Sequence, residues 1–257
     1  MPTNPTLLRE IAKMIDHSLL HPTLTDADLR EGCHVALTYD VASVCIKPYA
    51  VPLAAELLAG SAVRVGTVVG FPAGSSTTAL KVAETLQACR DGAVEIDMVI
   101  NIGKALGGDW FYVRDEIRAV HEACRANGAI LKVIFENDYL PADEPIIRLC
   151  QLCTEVGVEF VKTSTGFGFV KGTDGTFAYA GATLPHLRLM LDHVGPGVQV
   201  KAAGGVRTLD GLLQVKELGV TRLGASATAA IMDEAYRRFG DAPTNVPLSV
   251  ISIQPGY

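Results

Sequence analysis

This 257-residue chain lacks long apolar runs, an excess of basic residues and a regular pattern of cysteines. No apolar stretch approaches the ~18–20 residues of a membrane helix, and no apolar run follows a basic start at the N-terminus, so we expect neither a membrane anchor nor a signal peptide. The net charge of −6 argues against a nucleic-acid partner, although local lysines and backbone amides can still bind an anion. The six irregularly spaced cysteines indicate free thiols and a cytoplasmic protein.

Metal-ligand patterns are also scarce. Cys150 and Cys153 form a C-x-x-C, but they fall in a helical apolar pattern and no second pair follows, which favours buried core thiols over a metal or redox pair. His17 and His21 lie four residues apart with no third ligand at a clear spacing, so we interpret them as hydrogen-bonded or exposed side chains. The sequence therefore predicts no metal and no cofactor.

What is present is a regular alternation of short apolar runs, rich in Val and Ile, with longer amphipathic stretches. Such runs are typical of parallel strands that are covered on both faces. Eight pairs of this kind in about 250 residues predict an α/β fold, a single (β/α)8 TIM barrel forming one domain over residues 1–257 with a C-terminal tail from residue 241 or so. An open doubly wound sheet remains the alternative, although no G-x-G-x-x-G follows the first strand. The predicted strands are Met14–Asp16, Val41–Ile46, Arg64–Val69, Ala93–Ile100, Ile130–Phe135, Glu159–Thr163, Gln199–Ala203 and Thr221–Gly224.

Local chemistry marks several helix boundaries. Thr25 and Asp28 form a capping box, and Pro48 stands where a first helical turn would begin. Gly92 ends a stretch whose predicted inward face consists of Ala79, Val82, Ala83 and Leu86. The next predicted inward face, ended by Asn127-Gly128, consists of Val113, Ile117, Val120 and Cys124.

Charged residues inside the apolar strands are the anomaly in this pattern. Lysine is almost never buried without a partner, because isolated burial is costly or lowers its pKa. The charged positions lie near the carboxyl-end half of the predicted fourth to seventh strands, and barrel enzymes carry their active sites at that end. They are Asp97, Lys132, Lys162 and Lys201.

Two of these lysines suggest a chemical use. Lys162 and Lys201 lie on neighbouring predicted strands about 4.8 Å apart, so their amines come close if both point into the lumen. A neighbouring cation lowers the pKa of a lysine and leaves a neutral amine that can attack a carbonyl, while Asp97 would balance the remaining charge and move protons. Two other interpretations remain open: an ion-pair network without chemistry, and lysine heads that reach outward at strand ends.

Two glycine-containing turns follow the last two predicted strands. Gly204-Gly205-Val206-Arg207 comes after Lys201, and Gly224-Ala225-Ser226 precedes the final helix. Loops at these positions often bind phosphate in a TIM barrel, through backbone amides and a helix N-terminus. We therefore predict an anion site that Arg207 assists; ordinary tight turns and a surface arginine are the alternative.

Taken in order, segments from residue 11 to residue 238 resemble the class I aldolases of the deoxyribose-phosphate aldolase (DeoC-type) family. The strings that contain the two lysines, Lys162-Thr-Ser-Thr-Gly166 and Lys201-Ala-Ala-Gly-Gly-Val-Arg207, are specific to that family. The other matching strings are Ile15-Asp-His-Ser-Leu-Leu20, Val44-Cys-Ile-Lys-Pro-Tyr49, Glu95-Ile-Asp-Met-Val-Ile-Asn101, Leu131-Lys-Val-Ile134 and Leu223-Gly-Ala-Ser226.

The resemblance implies reversible cleavage of 2-deoxy-D-ribose 5-phosphate to acetaldehyde and glyceraldehyde 3-phosphate, without a metal. It implies that Lys162 forms a Schiff base, that Lys201 perturbs Lys162, and that Asp97 is an acid/base carboxylate. Tyr257 matches a C-terminal tyrosine that assists proton transfer in some members. The substrate-binding residues implied by the resemblance are Asp16, Lys132, Cys45, Thr165, Gly204, Gly205, Gly224 and Ser226.

Departures from the family pattern concentrate after Gly166. Phe167 stands where some members carry a phosphate-proximal lysine, while others have Phe-Gly, as here. Residues 169–179 form an extra loop, interpreted as either a hairpin or lid over the barrel mouth or an inert surface insertion. His21 and Ser18 replace a common lysine and a usual threonine. These differences leave the phosphate contact and the acceptor preference open.

Several alternative functions therefore remain. A Schiff-base aldolase of the same fold that acts on a different sugar phosphate or a non-phosphorylated aldehyde would be distinguished by a substrate panel. A catalytically silent barrel that binds a sugar phosphate is disfavoured because Lys162, Lys201 and Asp97 occur together. A metal-dependent aldolase is disfavoured by the missing ligand set. The expected partner is a small sugar phosphate, with neither nucleic acid nor membrane, and association into a homo-oligomer is left open.

Overall fold

Eight parallel strands close into a barrel in the computed structural model, which describes residues 4–240. The barrel strands are β1 (Ile15–Leu19), β2 (Ser43–Ile46), β3 (Arg64–Val69), β4 (Glu95–Val99), β5 (Ile130–Ile134), β6 (Phe160–Lys162), β9 (Gln199–Ala203) and β10 (Arg222–Ala225). Around the barrel they follow the order β1-β10-β9-β6-β5-β4-β3-β2. The predicted TIM barrel is confirmed, and β3 and β9 have the predicted bounds. The predicted C-terminal tail, with Tyr257, lies outside the described residues.

Helices alternate with the strands and cover the outside of the barrel. They are α1 (Pro5–Ala12), α2 (Asp26–Thr38), α3 (Val51–Leu57), α4 (Thr78–Arg90), α5 (Ile102–Leu106), α6 (Trp110–Ala126), α7 (Asp143–Val156), α8 (Leu184–His193), α9 (Leu209–Leu218) and α10 (Thr228–Phe239), with 3₁₀ turns at Pro48–Ala50 and Asn137–Tyr139. The capping box between Thr25 and Asp28 is present. No helix within residues 4–240 is long and apolar enough to cross a membrane.

The strands divide the interior into an apolar shell and a polar lumen. Side chains alternate along a strand, so residues two apart share a face. In β4, Ile96 and Met98 belong to the hydrophobic core, while Glu95 and Asp97 contact charged residues on other barrel strands. Apolar packing therefore lies between the barrel and its helices, and charge fills the barrel.

The face that α4 turns inward differs from the predicted one. Ala79 and Ala83 are exposed, and the buried positions of this helix are Lys81, Thr85 and Ala88. Lys81 Nζ lies 2.8 Å from the Glu116 carboxylate on α6 and donates to the Val99 carbonyl at 2.7 Å. The prediction for α4 was therefore wrong at Ala79 and Ala83, because a buried ion pair gives this helix a polar inner face, whereas Val82 is half-buried against the core. The inward face predicted for α6 is confirmed.

The extra loop after β6 contains a short antiparallel hairpin. Its strands are β7 (Val170–Lys171) and β8 (Phe177–Ala178), in a register that pairs Val170 with Ala178. The Asp138 carboxylate, in the turn after β5, accepts the N–H groups of Ala180 (2.5 Å) and Gly181 (3.1 Å), where the hairpin returns towards α8. The segment thus forms a hairpin with two exposed strands, and its role as a lid or as an inert insertion stays a prediction.

Candidate active site

Charged side chains from six of the barrel strands meet inside the lumen. Parallel pairing sets Lys162 directly beside Lys201, Asp97 beside Lys132, and Lys201 beside Arg222. All of these side chains are buried, as are the carboxylates that contact them. The lumen cluster consists of Asp16, Glu95, Asp97, Lys132, Lys162, Lys201 and Arg222.

Asp97 is the point at which the three predicted lysines converge. Its Oδ2 lies 2.8 Å from Lys162 Nζ and 2.7 Å from Lys201 Nζ, while its Oδ1 lies 2.8 Å from Lys132 Nζ. The predicted proximity of Lys162 and Lys201 therefore takes the form of two amines on a single carboxylate oxygen.

The remaining cations are held by the other two carboxylates. Asp16 Oδ2 lies 2.5 Å from Lys201 Nζ, and Asp16 Oδ1 lies 2.6 Å from an Arg222 nitrogen. Glu95 Oε2 lies 2.7 Å from Lys132 Nζ and 3.0 Å from Arg222. Asp16 and Lys132 are thus tied into the cluster, and both are fully buried.

The cluster holds one more cation than it has carboxylates. Lys132, Lys201 and Arg222 each contact two or more carboxylates, whereas Lys162 contacts Asp97 alone and shares that oxygen with Lys201. A buried charge is stable only when it is paired. Lys162 is therefore the member of the cluster that gives up its proton most easily.

The pKa shifts follow from this geometry. Burial lowers the pKa of Lys162, and the charge of Lys201 adds to the effect while Asp97 opposes it. Burial also acts to lower the pKa of Lys201, but Asp16 and Asp97 outweigh it and the pKa is raised. Burial acts to raise the pKa of Asp97, but Lys132, Lys162 and Lys201 hold it well below its usual value. The site thus pairs a weakly basic amine with a firmly protonated one across a carboxylate that stays ionised.

Cys45 adjoins the same carboxylate. Its Sγ lies 3.9 Å from Asp97 Oδ2, and burial raises the pKa of this thiol to about 11. Cys45 is therefore an uncharged thiol at neutral pH, which fits a lining role rather than a nucleophilic one.

The predicted anion-binding turns lie at the carboxyl end of β9 and β10. Gly204 and Gly205 both adopt positive φ (87° and 91°), a conformation that favours glycine. The N–H groups of residues 204–206 donate to no acceptor within residues 4–240. Gly224 lies beside Lys201, because a Cβ built on it would be 3.5 Å from Lys201 Cε, an ordinary van der Waals distance. Ser226 is exposed just before α10, whose N-terminus has no side-chain cap.

Thr165 is held by a residue that sequence reasoning missed. Glu136 adopts a left-handed backbone (φ 58°) and is buried; its Oε2 accepts the hydroxyl and, at 3.1 Å, the N–H of Thr165. Burial raises the pKa of Glu136, and its Oε1 has no hydrogen-bond partner among the described residues. A Cβ on Gly168 would lie 2.7 Å from this carboxyl, so the loop after Lys162 is shaped around Glu136.

Other lumen residues were also missed, although the sequence carried a signal for one of them. Glu95 stands two residues before Asp97 and so shares its face of β4, which a period-two reading would have detected. Arg222 opens β10 and gave no separate signal. Ser43 donates to Asp16 at 2.6 Å.

The histidines and the C-x-x-C take structural positions. His17 is buried with Nδ1 2.8 Å from the Thr228 hydroxyl, and His21 Nδ1 lies 2.7 Å from the Thr23 hydroxyl. Cys150 and Cys153 are buried free thiols on α7. No three His, Cys, Asp or Glu side chains within residues 4–240 are placed to hold a metal ion.

Comparisons with known proteins agree with one another. A family model described as DeoC/LacD family aldolase matches residues 10–227. A deoxyribose-phosphate aldolase of Rhodopirellula baltica is 52% identical over 231 residues, which cover 90% of this chain and 91% of the relative. One from Caldanaerobacter subterraneus is 44% identical over 228 residues, 88% of this chain and 94% of the relative. A solved structure described as a candidate deoxyribose-phosphate aldolase from Coccidioides immitis superimposes with a TM-score of 0.81 at 35% identity, over 91% of this chain and 88% of that one. The family match spans the whole lumen cluster.

Proposed function

Because the chain belongs to the DeoC/LacD family of aldolases, we propose that it is a class I aldolase that cleaves 2-deoxy-D-ribose 5-phosphate reversibly to acetaldehyde and D-glyceraldehyde 3-phosphate. The observation that carries the proposal is the pair of amines of Lys162 and Lys201 on one oxygen of Asp97. A Schiff base requires a lysine that can lose its proton near pH 7, and burial together with the charge of Lys201 lowers the pKa of Lys162 in that direction.

The first steps fall to Lys162. Its neutral amine attacks the C1 aldehyde of the open-chain sugar, and loss of water gives an iminium. The C3–C4 bond then breaks, and its electrons flow to the iminium nitrogen and form an enamine. The O4 proton passes to the amine of Lys201, which is neutral after protonating the departing water, and O4 becomes the aldehyde oxygen of glyceraldehyde 3-phosphate. Protonation of the enamine and hydrolysis of the resulting imine release acetaldehyde and restore Lys162.

Proton transfer falls to Lys201 and Asp97. Lys201 is the protonated group next to Lys162, so it is the acid of the site, and a deprotonated Lys201 can take the proton back. Asp97 is held ionised by the three lysines around it, so it stabilises the iminium, orients both amines and forms the acid/base system of the site together with Lys201.

The rest of the substrate is assigned to the carboxyl end of the barrel. We place the phosphate at the amides of Gly204 and Gly205 and at Ser226, because these groups can hold an anion beside the uncapped start of α10. Gly224 lies beside Lys201 at this end, and Thr165 supports the loop after Lys162. Asp16, Lys132 and Cys45 line the lumen around Asp97, and Lys132 helps to keep Asp97 ionised.

Borohydride reduction in the presence of substrate tests the proposal. The expected product is one covalent adduct on the peptide that contains Lys162, located by mass spectrometry, with turnover unchanged by EDTA. Lys162→Met removes the adduct, whereas Lys104→Met, which removes a half-exposed lysine outside the lumen, leaves it in place. An adduct on another lysine, or no adduct in an active preparation, refutes the assignment.

An aldolase acting on a less polar or non-phosphorylated aldehyde is the second candidate. It is favoured by the aromatic residues after Gly166: Phe167 lies edge-on to Phe71 (5.6 Å between ring centroids) and stacks with His21 (6.4 Å). An aromatic wall accepts apolar substrate groups. Rates on a panel of phosphorylated and non-phosphorylated aldehydes separate the two candidates.

Location and assembly are proposals as well. Six free cysteines, five of them buried, fit a reducing compartment such as the cytoplasm. A homo-oligomer is supported by large apolar side chains exposed on adjacent elements, namely Leu80 (58% exposed), Leu106 (52%) and Phe111 (74%). Light scattering with Phe111→Ser tests the assembly: a smaller particle than the unsubstituted protein is expected, and an unchanged mass argues against this surface.

A further inference from the structure

The hairpin after β6 is a feature that the proposed reaction does not use. It leaves the barrel after Phe169, turns at Gly175 and returns through Tyr179. The Phe169 and Tyr179 rings meet edge to face with their centroids 5.4 Å apart, which closes the base of the hairpin. Tyr139 also reaches this base, with its hydroxyl 3.5 Å from the Phe169 carbonyl.

The segment that follows β8 lies directly against the Gly204 turn. The Ala182 N–H donates to the Gly204 carbonyl at 3.0 Å. A Cβ on Gly204 would lie 3.1 Å from Gly181 Cα and 3.5 Å from Tyr179 Cε2. The Tyr179 ring therefore lies beside the same backbone amides to which the phosphate is assigned.

Tyr179 also contacts the cation of that turn. Arg207 Nη2 lies 3.4 Å from the Tyr179 hydroxyl, and Arg207 forms no ion pair with a carboxylate within residues 4–240. An arginine stays charged at all ordinary pH values and recognises phosphate through two N–H groups. A guanidinium with no carboxylate partner, a phenol and unpaired amides thus converge at one turn, which is the chemistry that binds a phosphate monoester.

We propose that Tyr179 is a specificity-determining residue for the phosphate end of the substrate, donating its hydroxyl to the phosphate and holding Arg207 beside the Gly204 turn. The inserted hairpin is then a device that selects phosphorylated over non-phosphorylated sugars. The proposal rests on the proposed aldolase reaction, but it concerns a part of the site that does not touch the bond being broken.

The test compares Tyr179→Phe with the unsubstituted enzyme on deoxyribose 5-phosphate and on deoxyribose. Loss of a hydrogen bond to a charged group predicts a fall of about tenfold in kcat/KM for the phosphorylated sugar, expressed in KM, with no change for deoxyribose. The inhibition constant for inorganic phosphate rises by the same factor. Arg207→Gln lowers kcat/KM for the phosphorylated sugar by roughly tenfold to a hundredfold. In the Arg207→Gln background, Tyr179→Phe has a smaller effect on kcat/KM than it has in the unsubstituted enzyme, because the two residues act together.

Tyr139→Phe is the matched control, because it removes a hydroxyl from the same hairpin base without approaching the Gly204 turn; both sugars should react as before. Equal losses on both sugars in Tyr179→Phe, or no loss on either, overturn the proposal. If the unsubstituted protein cleaves neither sugar, the aldolase assignment fails by itself. Calorimetric titration with inorganic phosphate then decides on Tyr179: weaker binding in Tyr179→Phe supports its role, and equal binding refutes it.

Discussion

Replacing Lys201 by methionine should raise the pKa of Lys162, so that its amine is protonated and no longer nucleophilic at neutral pH. In the native cluster, burial lowers that pKa, the ammonium of Lys201 adds to the effect, and Asp97 opposes both. Methionine keeps most of the length of the side chain and removes the charge. Asp97 then attracts the Lys162 proton without a competing cation on the same oxygen.

The size of the effect follows from the contact distances. The nitrogens lie 2.8 Å and 2.7 Å from Asp97 Oδ2, so they cannot be further apart than the sum of these distances, and we take a separation of about 5 Å for the estimate. Two unit charges at that distance interact by about 3 kcal/mol at the effective dielectric constant that suits protein sites, equivalent to ~2 pKa units. At pH 7 the neutral fraction of Lys162 should therefore fall by a factor on the order of a hundred.

Reductive alkylation measures the neutral fraction directly. Acetaldehyde and cyanoborohydride are added at pH values from 6 to 10.5, and the rate of alkylation of the Lys162 peptide is followed by mass spectrometry. In Lys201→Met the midpoint should move upward by about 2 pH units. Loss of the Lys201 acid lowers the plateau rate but does not set the midpoint, which follows the pKa of Lys162 alone. A packing defect would lower the rate at every pH and leave the midpoint in place.

Lys81→Met is the matched control, because it removes another fully buried lysine, paired with Glu116 and not with Asp97. It should lower stability and leave the alkylation midpoint of Lys162 where it was. The electrostatic account is wrong if Lys201→Met leaves the midpoint in place or moves it downward.

Three further predictions concern residues outside the reacting pair. Lys81→Met leaves Glu116 buried and unpaired, so it should lower the free energy of unfolding, measured by urea titration, by about 3–5 kcal/mol. Lys81→Met combined with Glu116→Met should recover more than half of that loss. If the two substitutions instead destabilise the protein additively, the pairing is contradicted. Burial lowers the pKa of His17 to about 4, so below pH 6.5 the unfolded chain binds a proton that the folded chain does not. The free energy of unfolding should therefore fall by about 2 kcal/mol between pH 7 and pH 5. His17→Gln, measured in the same titrations, should remove this pH dependence. Glu136→Gln weakens the hold on Thr165 and should lower kcat about tenfold with KM little changed; an unchanged kcat shows that the contact is dispensable.

The barrel and its reacting residues were accessible from the sequence because each left a local signal. Apolar runs separated by amphipathic stretches are typical of a parallel barrel. A lysine such as Lys162 is conspicuous there, because a strand that is buried on both faces is otherwise apolar. Parallel strands with a fixed spacing then bring neighbouring anomalies together, so the contact between Lys162 and Lys201 followed from strand order alone.

Features that depend on contacts between distant parts of the chain were not accessible. The inward face of α4 was misassigned because a lysine such as Lys81 is expected on the surface of a helix. Its burial is explained only by the ion pair with its partner on α6, which the sequence does not reveal. Glu136 looks like an ordinary loop acid, and its role appears only when its carboxylate meets Thr165, 29 residues further along the chain. Likewise, nothing in the string 169–179 indicates that Tyr179 returns to Arg207.

The ionic lumen has a consequence for how the protein responds to temperature. The hydration of charged groups becomes less favourable on warming, so the cost of keeping the charged groups of the lumen cluster out of water declines, whereas the benefit of burying apolar surface levels off. A barrel filled with layers of Val, Ile and Leu has no such compensation. The buried ion pairs of the lumen, such as the one between Asp16 and Arg222, therefore cost less to keep as the temperature rises.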